Sequence, residues 1–306
     1  MTNHQIILHL SLIQHIGPVT IQKILDVVSD LSMLYTMHVS DFVRLGFSAH
    51  VSTLLYEGLS NKQLVHEELG LLDKHAITYI TLLHDNYPTL LREIHAPPAV
   101  VYIKGSPDVL NQKLIAMIGS RQATDYAKLA LNFLIPPLIQ QDWVIVSGGA
   151  VGADTMSHRI TLESQGKTIS VLGSGLLVPY PAHNKELFDR IAEQGAVISS
   201  FPLRESPLPG NFPARNRIIA GLSKGVVVVQ AAQESGTSIT ARFALEQGRE
   251  VFAVPGLLDD PLSKGCHMLI QQGAKLTCSA QDILDEFGEC EIRRSEDDSQ
   301  RISRVG

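Results

Sequence analysis

Apolar positions change their rhythm twice along the chain. Over residues 1–70 they recur at helical spacing, at Ile6, Ile7, Leu10 and Ile13 and again at Ile21, Ile24, Leu25 and Val28. Between these runs lies Ile16-Gly17-Pro18-Val19-Thr20, where glycine ends one helix and Pro-Val-Thr opens the next. Such a turn serves either to join two packed helices or to offer backbone amides to a phosphate, and the sequence leaves both readings open. A second helical pair is expected over residues 42–59, broken at Gly46-Phe47-Ser48.

From Ile77 the rhythm shortens. Ile77-Thr78-Tyr79-Ile80 and Val100-Val101-Tyr102-Ile103 read as strands. Between them a helix is expected through Leu90, Leu91 and Ile94, stopped by Pro97-Pro98. Six continuous apolar runs then alternate with helical stretches. The strands are expected at residues 114–118, 143–146, 168–172, 197–200, 226–229 and 251–254. The intervening helices are expected at residues 126–135, shortened or kinked by Pro136-Pro137, then at 154–164, 185–193, from near Arg215, and at 238–247. Unbroken apolar strands suit a sheet covered on both faces. The β/α alternation predicts an α/β fold with a doubly wound, mostly parallel, Rossmann-like sheet. A small all-helical domain over residues 1–75 precedes it, and the sheet domain is expected over residues 76–287. Residues 288–306 are polar and aperiodic, and read as a disordered charged tail.

Composition narrows the class. The chain has 306 residues, 44% hydrophobic and 18% charged, ordinary for a globular protein. No apolar run reaches the roughly 20 residues that span a bilayer. The N-terminal stretch lacks the basic start and cleavage site of a signal peptide, so a cytoplasmic location with no membrane partner is expected. Cys266, Cys278 and Cys290 have neither metal-ligand spacing nor an even count, and read as reduced thiols. Net charge is −6, with −3 over residues 1–114, +1 over 115–280 and −4 over 281–306. A nucleic-acid site on this chain is therefore a local groove, not a basic surface.

Ligands of parallel α/β sheets bind outside the carboxyl ends of the strands. The unusual residues gather at those ends. Gly119-Ser120-Arg121 follows the first main strand. Ser147-Gly148-Gly149-Ala150-Val151-Gly152-Ala153-Asp154 joins the second to its helix, a turn whose amides would cradle an anion, with Asp154 expected to cap the helix. His158, one turn on, is expected to be a packed helix residue. Gly173-Ser174-Gly175 and Tyr180-Pro181 follow the third strand. Phe212-Pro213-Ala214-Arg215-Asn216-Arg217 sets two arginines for phosphates beside a ring that stacks on bases. Ser235-Gly236-Thr237 with Thr240 and the lone Lys264 complete the rim. Neither a G-x-G-x-x-G nor a P-loop spacing is present, and no metal cluster, catalytic triad or paired carboxylate stands out. No cofactor, metal or reaction is expected.

This series resembles the DNA-processing protein A (DprA/Smf) family in order and spacing over residues 87–273. The resemblance implies an extended Rossmann fold that binds single-stranded DNA without sequence preference. It also implies protection of incoming strands in natural transformation, loading of the RecA recombinase, homodimers formed through the Rossmann domain, and a helical domain similar to a sterile-alpha-motif. By carry-over, Arg121, Phe212, Arg215 and Lys264 lie on or near the DNA path. Ser200 and Gln230 stand where the family often has glutamate, and the winged helix that ends many relatives is not expected before Gly306. The alternative is an enzyme similar to the lysine-decarboxylase-like phosphoribohydrolases (LOG), acting on nucleoside monophosphates. Its Pro-Gly-Gly-x-Gly-Thr element is replaced here by Glu234-Ser235-Gly236-Thr237.

Overall fold

The computed structural model describes residues 1–233 and 235–288. Five helices come first: α1 (Asn3–Leu12), α2 (Pro18–Val27), α3 (Val39–Arg44), α4 (Ala49–Ser60) and α5 (Gln63–Lys74). They start where the sequence supplies caps. Thr2 makes a reciprocal capping box with Gln5, and Pro18 occupies the first turn of α2. The apolar stripes of these helices form a core continuous with that of the sheet. α1 lies against β1 (Thr78–Thr81) and β2 (Val100–Gly105). From α5, the buried Glu68 carboxylate accepts the Leu203 amide at 2.8 Å, tying the helices to the following domain.

After β1 comes a single helical turn, α6 (Thr89–Arg92), shorter than the expected helix and ended before Ile94. Beyond β2 the chain alternates. It runs β3 (Lys113–Ile118), α7 (Asp125–Gln140), β4 (Trp143–Ser147), α8 (Ala153–Glu163), β5 (Thr168–Val171), α9 (Lys185–Gln194) and β6 (Ala196–Ser199). It continues through α10 (Asn211–Leu222), β7 (Gly225–Val228), α11 (Gly236–Glu246), β8 (Glu250–Ala253), α12 (Lys264–Gln271), β9 (Lys275–Leu276) and α13 (Ala280–Glu286). The sheet order is β1-β2-β6-β5-β4-β3-β7-β8-β9. Pairings from β6 to β9 are parallel, while β1 and β2 extend the sheet antiparallel.

Strand order reverses between β3 and β7, so the crevice beyond Ile118 and Val228 is the switch point at which such folds bind ligands. Two helices differ from expectation. α7 runs through Pro136 and Pro137. The carbonyls these prolines leave unbonded belong to Asn132 and Phe133, both exposed to water. α10 begins at Asn211, four residues before Arg215, because Pro213 falls in the first turn, where a missing amide costs nothing. α12, β9 and α13 were not anticipated. β9 is two residues long, too short to leave a periodic signal. The expected tail and Cys290 lie outside the described residues. Among the described residues no helix is long and apolar enough to cross a membrane, and no group of side chains has a metal-ligand arrangement.

Candidate functional site

A cleft of about 740 Å³ opens at the switch point. Its walls are Gly119-Ser120-Arg121 after β3, Phe212 and Asn216 from α10, and Ser235, Gly236, Thr237 and Thr240 at the start of α11. A second cavity of about 420 Å³ shares Arg121, Ala150, Phe212 and Tyr180 with it and continues past Pro181 to His183. The two form one groove.

The β3 turn is built from backbone. The Ser120 amide donates to Gln230 O at 2.7 Å, and Ser120 O accepts from the Ala153 amide at 3.1 Å. A Cβ at Gly119 would enter Ala153. Arg121 leaves this fixed turn exposed, and its charge reaches Arg215. Gln230 is buried. Its side-chain carbonyl accepts the Thr124 amide at 3.0 Å, and its NH₂ faces Asp260 at 3.4 Å. A glutamate could not donate to Asp260, so glutamine suits the position this chain gives it.

The glycine turn after β4 holds an anion, but an internal one. The Gly148 and Ala150 amides donate to the Asp154 carboxylate at 3.2 and 3.3 Å. Asp154 thus folds back over the turn, and the helix cap itself is Gly152, with no side-chain cap bond. The expected open cradle at Gly148-Gly149 and the expected Asp154 cap are both corrected. Gly149 and Gly152 have φ of +69° and +83°, backbone that favours glycine. A side chain at Gly152 would strike the carbonyls of Ser120 and Arg121. Ser147 is buried and donates to Met117 O at 2.7 Å.

Arg215 is only 6% exposed. Its Nη1 donates to Gly148 O at 2.5 Å and Val171 O at 2.7 Å, and its Nε to Asn216 Oδ1 at 3.0 Å. Gly148 lacks a side chain because the guanidinium fills that space. Burial pushes the Asp154 carboxyl above its usual range, against the pull of Arg215 and the two amides. Burial likewise lowers Arg215, against the pull of Asp154. Arg215 is therefore a buried strut that ties the β4 turn and β5 to α10, and it also borders both cavities.

Arg217 points to the other side of α10. It donates to His95 O and lines a separate cavity of about 600 Å³ against the α1–α2 turn. Lys264 is exposed on the first turn of α12 and does not line the groove. Gly173 and Gly175 also stand behind the wall. A Cβ at Gly173 would meet the Phe212 ring, and one at Gly175 the carbonyls of Pro202 and Leu203. His158 is fully buried. Thr168 Oγ1 donates to Ile145 O, so it accepts Nδ1–H from His158 at 2.7 Å. Burial, then Arg215, pushes the His158 pKa down to about 3, and the ring stays neutral.

Tyr180 is the wall residue that sequence reading named without assigning it a role. Its ring meets Phe212 edge-on at 5.8 Å between centroids, giving the groove an aromatic rail. The signal was its place after a strand-end glycine turn.

The doubly wound sheet has at its switch point a crevice lined by hydroxyls, an aromatic pair and an arginine without a protein partner among the described residues, and it lacks dinucleotide glycine spacing, which defines a Rossmann-like protein with an open groove at its strand ends. The chain belongs to the DNA recombination-mediator protein A family, whose model matches residues 78–288. It is 44% identical over 221 residues to the DNA processing protein DprA of Bacillus subtilis, covering 72% of this chain and 74% of that one. The X-ray structure of DprA from Streptococcus pneumoniae superposes with a TM-score of 0.81 at 36% identity, over 94% of this chain and 98% of the other. A structure of DNA processing protein A from Helicobacter pylori, described by its single-stranded DNA binding mode, has a TM-score of 0.63 at 30% identity, over 70% of this chain and 97% of that one.

Proposed function

We propose that this protein binds single-stranded DNA without sequence preference in the switch-point groove, protects incoming strands and loads a RecA recombinase on them, acting as a homodimer and without catalysis of its own. The observation that carries this reading is Arg121. Its exposed guanidinium makes no hydrogen bond to the protein among the described residues, and it stands beside the Phe212–Tyr180 rail. A guanidinium beside stacking rings is the pairing that holds a backbone phosphate and its neighbouring bases with little regard to base identity. The Helicobacter relative, described as binding single-stranded DNA, supports the same ligand here.

The test is fluorescence anisotropy with a labelled oligo-dT. Salt-sensitive binding is expected, and Arg121→Glu should weaken it at least tenfold. Undiminished binding by this variant refutes the site. Light scattering tests the dimer. Retention of RecA on the immobilised protein, with and without DNA, tests loading, and no retention in either condition refutes it.

A further inference from the structure

The α11 end of the groove carries more hydrogen-bond donors than an internal phosphate can use. Thr237 and Thr240 are buried, Thr240 to 3% exposure, yet both line the cleft and neither hydroxyl has a protein partner among the described residues. The Ser235 hydroxyl, at the N-cap of α11, is also buried and unpartnered. Gly236 and Thr237 open an 11-residue helix, so their amides have no acceptor within it. Arg121 faces the same cleft uncommitted. The acidic side chain among the described lining residues, Asp154, is turned onto the Gly148 and Ala150 amides. A buried hydroxyl without a partner, as at Ser235, is uncommon unless a ligand or water completes it, and the Thr237 and Thr240 hydroxyls are open to the same cleft.

Resting on the groove being the DNA site, we propose that this corner is a phosphomonoester subsite that receives the phosphorylated end of a strand. An internal phosphodiester has two non-bridging oxygens and one negative charge. A terminal phosphate has three such oxygens and a charge of about −1.5 to −2 at pH 7. Three hydroxyls, two helix-terminal amides and a guanidinium match the second, and the positive end of α11 favours the added charge. Thr240 lines the cleft while only 3% exposed, a recess in which a chain end fits more readily than a strand passing through. The same chemistry is offered by a 5′-phosphate, a 3′-phosphate or a free mononucleotide.

The experiment is competition against an internally labelled oligo-dT by unlabelled strands of one sequence bearing a 5′-phosphate, a 3′-phosphate or hydroxyls at both ends, together with dTMP and thymidine. One phosphorylated end should compete about tenfold better than the hydroxyl-ended strand, and dTMP better than thymidine. Which end wins identifies the source of the phosphate. Thr240→Val should bring the ratio of phosphorylated to hydroxyl-ended affinity close to one, and Thr240→Ser should restore it. Because the readout is a ratio within one protein, a general loss of stability does not imitate the effect. Equal competition by all three strands overturns the subsite and leaves the groove standing. Failure of every strand to bind overturns both.

Discussion

Replacing Arg215 with methionine separates a strut from a ligand. The substitution keeps the length of the side chain and its apolar stem while removing the guanidinium. Three hydrogen bonds go with it: to Gly148 O at 2.5 Å, Val171 O at 2.7 Å and Asn216 Oδ1 at 3.0 Å. Hydrogen bonds to charged groups contribute about 1.5–3 kcal/mol each and are not additive. The Asp154 carboxylate is left buried without its cation. Removing one partner of a buried charge pair costs about 3–5 kcal/mol, and that is the magnitude we expect for Arg215→Met. With a urea slope of about 2–3 kcal/mol per molar, the midpoint falls by roughly 1–2.5 M. Trp143, the single tryptophan, is 1% exposed in β4 and reports the transition by its fluorescence. Arg121→Met is the contrast. Being exposed, it should unfold within about 0.5 kcal/mol of the parent and yet lose DNA affinity. If Arg215→Met unfolds at the parental midpoint but fails to bind DNA, the guanidinium serves the strand and the reasoning is wrong.

Three further outcomes follow from the same geometry. Gly152→Ala forces a side chain into φ +83° and against the Ser120 and Arg121 carbonyls; it should cost about 1–3 kcal/mol in urea unfolding and weaken DNA binding by displacing Arg121. His158 has a folded pKa of about 3, below its unfolded value, so protons favour the unfolded chain. Its contribution is complete above about pH 6.5 and is lost as pH falls toward 3. This one residue should make the protein about 2 kcal/mol less stable at pH 5 than at pH 7, a difference that His158→Leu removes in paired urea titrations. Phe212→Ala removes one half of the aromatic rail; it should cost about 1–3 kcal/mol in affinity for oligo-dT, read by anisotropy, with no change in base preference.

Much of the sheet was legible because β3 to β8 are buried along nearly their whole length, and strands in that position are predominantly apolar. The helix limits were less so. Pro136, Pro137 and Pro213 read as breakers, and whether a proline breaks a helix depends on where the orphaned carbonyl points, which a sequence does not record. The site was legible as a collection and not as individuals. Glycine marks a place where a side chain does not fit, but not what takes the space. At Gly148 it is the Arg215 guanidinium and at Gly173 the Phe212 ring, both protein groups rather than a ligand. Arg215 and Arg217 are two residues apart, and on a helix that separation turns them about 200° from each other. One enters the core, the other crosses to His95, and Arg121, from a different segment, lines the groove without a protein partner among the described residues.

That division bears on how an acidic chain would hold DNA under the proposed function. At physiological ionic strength charges are screened over about 8 Å, so an acid farther than that from the groove acts weakly on a ligand in it. What acts on it lies within a few ångströms: Arg121, the hydroxyls and amides of the α11 end, and the rings of Phe212 and Tyr180. Arg215, buried at the border of both cavities, fixes these parts together, clamping the β4 turn and β5 to α10 with Phe212 one turn earlier on the same helix. Under the proposed function, one arginine holds the groove in shape and another would face the phosphate. A groove organised this way needs few cations, because oriented uncharged donors and aromatic faces do the rest, and so a net charge of −6 is compatible with DNA binding.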